Sequence, residues 1–173
     1  MMPLDLTIPK APFGSSAPAS NDDAVWRFMW EIRSVNLFLE ELCRLRADAL
    51  GITAPQWMIL IALADLDRGS GVPVNAVSKL MKVDSSFVTT QSKLLEKKGL
   101  LRRKPSTSDA RIVEMSLTDR TYKHLAGLSS QQEAIDKLVF GEFGVRGLSE
   151  FASKLAGVRQ RLEKARLKIA LDL

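Results

Sequence analysis

A mainly α-helical chain with a small two- to three-stranded β-wing is what this sequence predicts, and three observations carry that prediction. Apolar residues recur at helical spacing through most of residues 22–173. A short helix and an uncharged, hydroxyl-rich helix are joined by only Lys82-Val83-Asp84, the connection of a helix-turn-helix. Gly99 then ends the second of these helices, and a basic strand, a polar loop and a return strand follow. A helix pair followed at once by such a hairpin is a winged helix-turn-helix.

Each element has a local reason. Residues 1–21 hold four of the seven prolines (Pro3, Pro9, Pro12, Pro18) among small and polar residues, which predicts a flexible arm, extended where ordered. Asn21 or Asp22 caps a first helix from about Asp23 to Ala49. Its apolar stripe, from Val25 and Trp26 to Cys43 and Leu45, is wider than one partner surface requires, so burial against the chain's own core and a second subunit is expected. Gly51 stops that helix. Thr53 caps the next one, which tolerates Pro55 in its first turn and continues to about Asp67. Residues 68–71 (Arg-Gly-Ser-Gly) form a turn. A short helix spans about Val74 to Met81, with Val77 and Leu80 or Met81 inward, and another runs from about Ser86 to Lys98 behind a cap at Asp84 or Ser85. Leu100–Lys104 and Arg111–Ser116 read as the wing strands. Thr118 caps a long helix to about Phe140, three glycines (141, 144 and 147) break the chain, and a last helix runs from Leu148 to about Leu171.

Charge points to a polyanionic partner. Residues 79–111 hold nine Lys/Arg against three acids, a surplus of +6, whereas the whole chain carries +5. The cationic excess therefore sits in the helix-turn-helix and wing, which is where a duplex would be held. Other classes find no residues to carry them. One cysteine excludes an internal disulfide and a cysteine metal site, and one histidine (His124) excludes a histidine-rich one. No glycine loop of nucleotide-binding type and no nucleophile beside a histidine is present, so no catalytic site, metal or cofactor is expected. No apolar run reaches the roughly 18 residues that a membrane span needs, and the N-terminus lacks the pattern of a signal peptide. A soluble, cytoplasmic protein is expected.

On a helical wheel of residues 86–98, Phe87, Val88, Leu94 and Leu95 fall on one side. Ser86, Thr89, Thr90, Lys93 and Lys97 fall on the other. Hydroxyls that both donate and accept suit base edges or phosphates, and ammonium groups suit phosphates. In the wing, Asp109 lies two residues before Arg111 and can fix its guanidinium for a narrow minor groove. The expected DNA-contacting set is Ser85, Ser86, Thr89, Thr90, Lys93, Lys97, Lys104, Ser106, Thr107, Ser108, Asp109 and Arg111.

From about Ala24 onward the chain resembles the multiple-antibiotic-resistance regulator (MarR) family of winged helix-turn-helix transcription factors. The resemblance is carried by the LEKKGLLRR run at 95–103, Asp109-Ala110-Arg111, Leu117-Thr118 and Thr53-Ala54-Pro55-Gln56-Trp57, in that family's order and spacing. It implies a homodimer with dimerisation helices at 22–50 and 119–173 and a DNA-binding lobe at 51–118. It also implies double-stranded DNA with an inverted repeat as partner, half-sites about one turn apart, and Arg111 in the minor groove. Thr90 stands where several relatives carry arginine, Lys93 where aspartate is frequent and Thr121 where glycine is common.

The resemblance further implies a repressor released by a small organic effector, aromatic or acyl-thioester. Five of the eleven aromatics lie within residues 26–57, and Trp30, Arg33 and Trp57 are the candidate ligand contacts, although helix-spaced aromatics are more often core. Two alternatives stand beside it: a winged-helix protein-docking module, and a redox regulator using Cys43, which lacks a resolving cysteine in its own chain.

Overall fold

The computed structural model describes residues 21–171, so the arm expected over residues 1–21 lies, Asn21 apart, outside the described residues. Its elements are α1 (Asn21–Asp48), α2 (Ala54–Leu66), β1 (Val72–Pro73), α3 (Val74–Met81), α4 (Ser85–Lys97), β2 (Leu101–Pro105), β3 (Val113–Leu117), α5 (Asp119–Gly127), α6 (Ser129–Phe140), a 3-10 turn (Gly141–Phe143) and α7 (Gly144–Leu171). Two compact units divide at Thr118/Asp119.

The first unit is built around α2. This helix is apolar all round, as a helix covered on several faces must be, and buries Trp57, Ile59, Leu60 and Leu63. Val77 of α3, Val88 and Leu95 of α4, Leu101 of β2 and Met115 of β3 complete the core. The Thr53 hydroxyl accepts from the Gln56 N–H and the Gln56 side chain accepts from the Thr53 N–H, a reciprocal capping box. α1 and α4 each end in a left-handed glycine, Gly51 (φ 62°) and Gly99 (φ 70°). In both, the next residue's N–H closes back on the last turn, Ile52 on Ala47 and Leu100 on Leu95.

The sheet is antiparallel with order β1-β3-β2 and register Val72↔Met115, Leu101↔Leu117 and Pro105↔Val113. The two-residue β1 leaves no periodic signal in the sequence. Its Pro73 lies on an edge strand, where a missing N–H costs no ladder bond.

In the second unit the expected helix from Thr118 to Phe140 is two helices. Gly127 weakens the run, and the Ser129 hydroxyl donates to the Ala126 carbonyl at 2.9 Å, so the chain turns at Leu128. The last helix starts at Gly144, not Leu148, so Gly147 lies inside it; Phe143 stacks on Phe151 at 5.7 Å across that start. Neither α6 nor α7 has a buried residue. At the other end of the chain, Asn21 and Asp22 are already helical and do not stand before α1 as caps.

Candidate nucleic-acid interface

The turn from α3 to α4 is held by side chains that the chain order brings together. Lys82 takes the left-handed conformation (φ 57°), a position that disfavours any residue with a Cβ, and the Val83 N–H closes on the Ser78 carbonyl. Ser78 is buried; its hydroxyl donates to the Asn75 carbonyl at 3.0 Å and lies 2.9 Å from the Ser85 hydroxyl. Further along α4, the buried Gln56 donates through Nε2 to Gln91 Oε1 at 2.9 Å. At the C-terminal end, Lys98 Nζ donates to the Gly51 carbonyl at 2.6 Å and Glu96 Oε1 accepts the Arg103 backbone N–H at 2.8 Å. α4 is thus braced against α2, α3, the end of α1 and β2.

The buried stripe of α4 is narrower than the wheel suggests. Val88, Ser92 and Leu95, spaced four and three apart, are buried, with the Ser92 hydroxyl donating to the Thr89 carbonyl. Phe87 and Leu94 sit at the margins, 36% and 42% exposed, which corrects their assignment to the core. Nothing in the residue pattern marks Ser92 as buried, because a serine carries no apolar signal. On the outer face Ser85, Ser86, Thr90, Lys93 and Lys97 are exposed and Thr89 is half-buried. The Thr90 hydroxyl donates to the Ser86 carbonyl at 3.0 Å.

In the wing, Lys104, Thr107, Ser108, Asp109 and Arg111 are exposed, whereas Ser106 is buried. The Ser106 N–H donates to the Ile112 carbonyl, and its Oγ accepts from the Ser108 N–H at 3.3 Å, so this residue shapes the loop. Asp109 behaves differently from the expectation. Its carboxylate accepts the Arg111 backbone N–H at 2.9 Å and its carbonyl accepts the Ile112 N–H, which folds the tip without gripping the guanidinium. Arg111 lies in that turn and not in β3. With Ser85, Thr89, Asn75 and Ile112 it lines a cleft of about 270 Å³ between the helix pair and the wing. Two cations of the basic segment are engaged within the chain: Lys98 on the Gly51 carbonyl at the surface, and Arg103, half-buried with its Nε covered.

The three candidate ligand residues do not share one environment. Trp57 is 3% exposed in the core, while Trp30 is 45% exposed and Arg33 also faces outward on α1. Cys43 is half-buried and its thiol donates to Met58 Sδ at 3.5 Å. Burial pushes the thiol pKa up, Arg46 draws it back and Glu40 adds to the rise. Among the described residues no group of His, Cys, Asp and Glu could hold a metal, and no helix is long and apolar enough to cross a membrane.

A braced helix-turn-helix with an antiparallel wing at its side defines a winged helix-turn-helix domain. Residues 52–113 match the family model of the MarR family. The HTH-type transcriptional repressor MdtR of Bacillus subtilis (strain 168) is 36% identical over 69 residues, 40% of this chain and 43% of the repressor. The organic hydroperoxide resistance transcriptional regulator of the same strain is 35% identical over 72 residues, 42% of this chain and 47% of that protein. These matches span less than half the length of either relative. The fold extends further: the crystal structure of S. aureus MepR in its DNA-binding conformation superposes with a TM-score of 0.69 at 17% identity, covering 78% of this chain and 98% of that one.

Proposed function

We propose that the protein is a homodimeric, sequence-specific DNA-binding transcriptional regulator of the cytoplasm, acting as a repressor that a small organic effector releases. The observation that carries this reading is the outer face of α4: exposed hydroxyls and two lysines on a helix braced from behind, beside a wing whose tip exposes Arg111. α4 enters the major groove, with Ser86, Thr89 and Thr90 toward bases and Lys93 and Lys97 on phosphates. Arg111 reaches the adjacent minor groove, where negative potential is concentrated. Lys104, Thr107 and Ser108 flank it on the backbone, while Ser106 and Asp109 act by holding the loop.

Dimerisation has its own support. α1 buries only Ala47 yet exposes Trp26, Phe28, Trp30, Val35 and Phe38, and α6 and α7 bury nothing. Apolar surface on this scale marks an association site, and a second copy is the partner we assign. The lobes are then 22–50 with 119–173 for dimerisation and 51–118 for DNA. The dimer's two α4 helices read an inverted repeat one helical turn apart. Trp30 and Arg33 remain the candidate contacts for an aromatic or acyl-thioester effector, while the burial of Trp57 suits it to a wall of the core. Thiol sensing is the weaker reading, because the Cys43 thiol is disfavoured as a thiolate and engaged with Met58.

Footprinting on DNA flanking the protein's own gene tests the proposal. Protection of two half-sites about one turn apart is expected. Failure to protect any segment, with capture of a protein partner through the same face, would replace it with the docking-module reading.

A further inference from the structure

We infer that Thr90 is a specificity-determining residue that reads exocyclic amino groups, adenine N6 or cytosine N4, in the major groove. This rests on the DNA-binding reading above and adds which base edge the helix selects.

Hydrogen-bond polarity selects the base edge. A hydroxyl has one proton and two lone pairs. The Thr90 hydroxyl donates its proton to the Ser86 carbonyl at 3.0 Å, and a carbonyl can only accept. What Thr90 offers outward is therefore lone pairs alone. Ser85, at the start of the same face, is in the same position. Ser78 spends its proton on the Asn75 carbonyl at 3.0 Å, so the 2.9 Å approach between Ser78 and Ser85 uses the proton of Ser85. Both hydroxyls are exposed and both present acceptors.

An acceptor-only hydroxyl has defined partners on a duplex. Phosphate oxygens, guanine O6 and thymine O4 are acceptors and repel it. The amino groups of adenine and cytosine are the donors that the major groove displays. The outer face of α4 thus divides its work: Lys93 and Lys97 supply donors to phosphates, and Thr90 supplies an acceptor to bases. Ser85, tied to the buried Ser78, locks the turn and adds a second acceptor near the cleft lined by Arg111.

The test is selection of binding sites from a randomised duplex pool with the wild type, Thr90→Val and Thr90→Ser. Valine keeps the volume and branching of threonine without its oxygen, and serine keeps the oxygen. The wild type should select one base pair at a position of each half-site, and Thr90→Val should lose that preference while Thr90→Ser retains it. Deleting the amino group in the selected duplex, purine for adenine, should weaken wild-type binding about three- to tenfold and leave Thr90→Val unaffected. A clear selected sequence that Thr90→Val leaves unchanged, or wild-type binding that loses nothing when the amino group of the altered base pair is deleted, overturns this inference alone. A pool that yields no preferred sequence overturns the DNA-reading proposal, and this inference with it.

Discussion

Replacing Lys98 with methionine separates two roles that a lysine at the end of a recognition helix can have. The basic composition of residues 79–111 makes Lys98 one more phosphate ligand. Its geometry makes it a clamp, since Nζ donates to the Gly51 carbonyl at 2.6 Å and ties the end of α4 to the end of α1. Charge-assisted hydrogen bonds contribute about 1.5–3 kcal/mol. This bond is exposed to solvent, so screening reduces the expectation to about 0.5–1 kcal/mol. For a chain of this length that corresponds to a melting temperature lower by about 1–4 °C. The DNA-binding readout is sharper. Removing one phosphate-bound ammonium from each subunit would flatten the log–log salt dependence by about 1.8, from roughly 0.9 per phosphate. A clamp leaves that slope unchanged and weakens binding by a constant factor. Lys97→Met, on the exposed outer face, is the control and should flatten the slope. Measured by fluorescence anisotropy at four or five salt concentrations, a slope that Lys98→Met flattens as much as Lys97→Met, with no change in melting, would refute the clamp.

Three further outcomes follow from the same geometry. Arg111→Ala should weaken binding to most DNA sequences and flatten the salt slope by about 0.9 per subunit, and unchanged affinity would sink the wing's place in the minor groove. Leu95→Ala empties a fully buried position where α4 meets the core and should cost about 2–5 kcal/mol in chemical denaturation; a loss under about 1 kcal/mol, well below that range, would mean that α4 is not packed as described. Because burial pushes the Cys43 thiol up, alkylation by iodoacetamide at neutral pH should be slower than for a cysteine in an unstructured peptide and should accelerate as pH rises. Rapid, pH-independent labelling would reopen the redox reading.

Much of the fold could be read from the sequence where a single residue type decides the local geometry. Thr53 with Gln56 three residues on and glycines at 51 and 99 each leave one conformation favoured, and the structure has it. Features that depend on partners distant in sequence could not be read. β1 is two residues long and exists because β3 pairs with it. The break at Leu128 depends on a serine competing for a backbone carbonyl. The site shows the same division. The side of α4 that faces outward follows from periodicity, whereas the bond from Lys98 to Gly51, the buried Ser106 and the backbone role of Asp109 are properties of tertiary packing. Counting charge along the chain cannot tell an ammonium group on a carbonyl from one facing solvent. The exposure of Phe87 and Leu94 has a related cause: Ser92 takes a core position that a wheel reserves for an apolar residue, so the buried stripe is narrower and its margins lie open.

Whether the braced α4 and the adjoining wing read a specific duplex is decided by binding across a salt series. Labelled DNA from upstream of the protein's own gene and a scrambled duplex of equal length should be titrated by anisotropy. Tighter binding to the native duplex at every salt concentration, with affinity falling steeply as salt rises, is the expected result. Equal and weak binding to both, with a shallow slope, would contradict a duplex-reading role for this face.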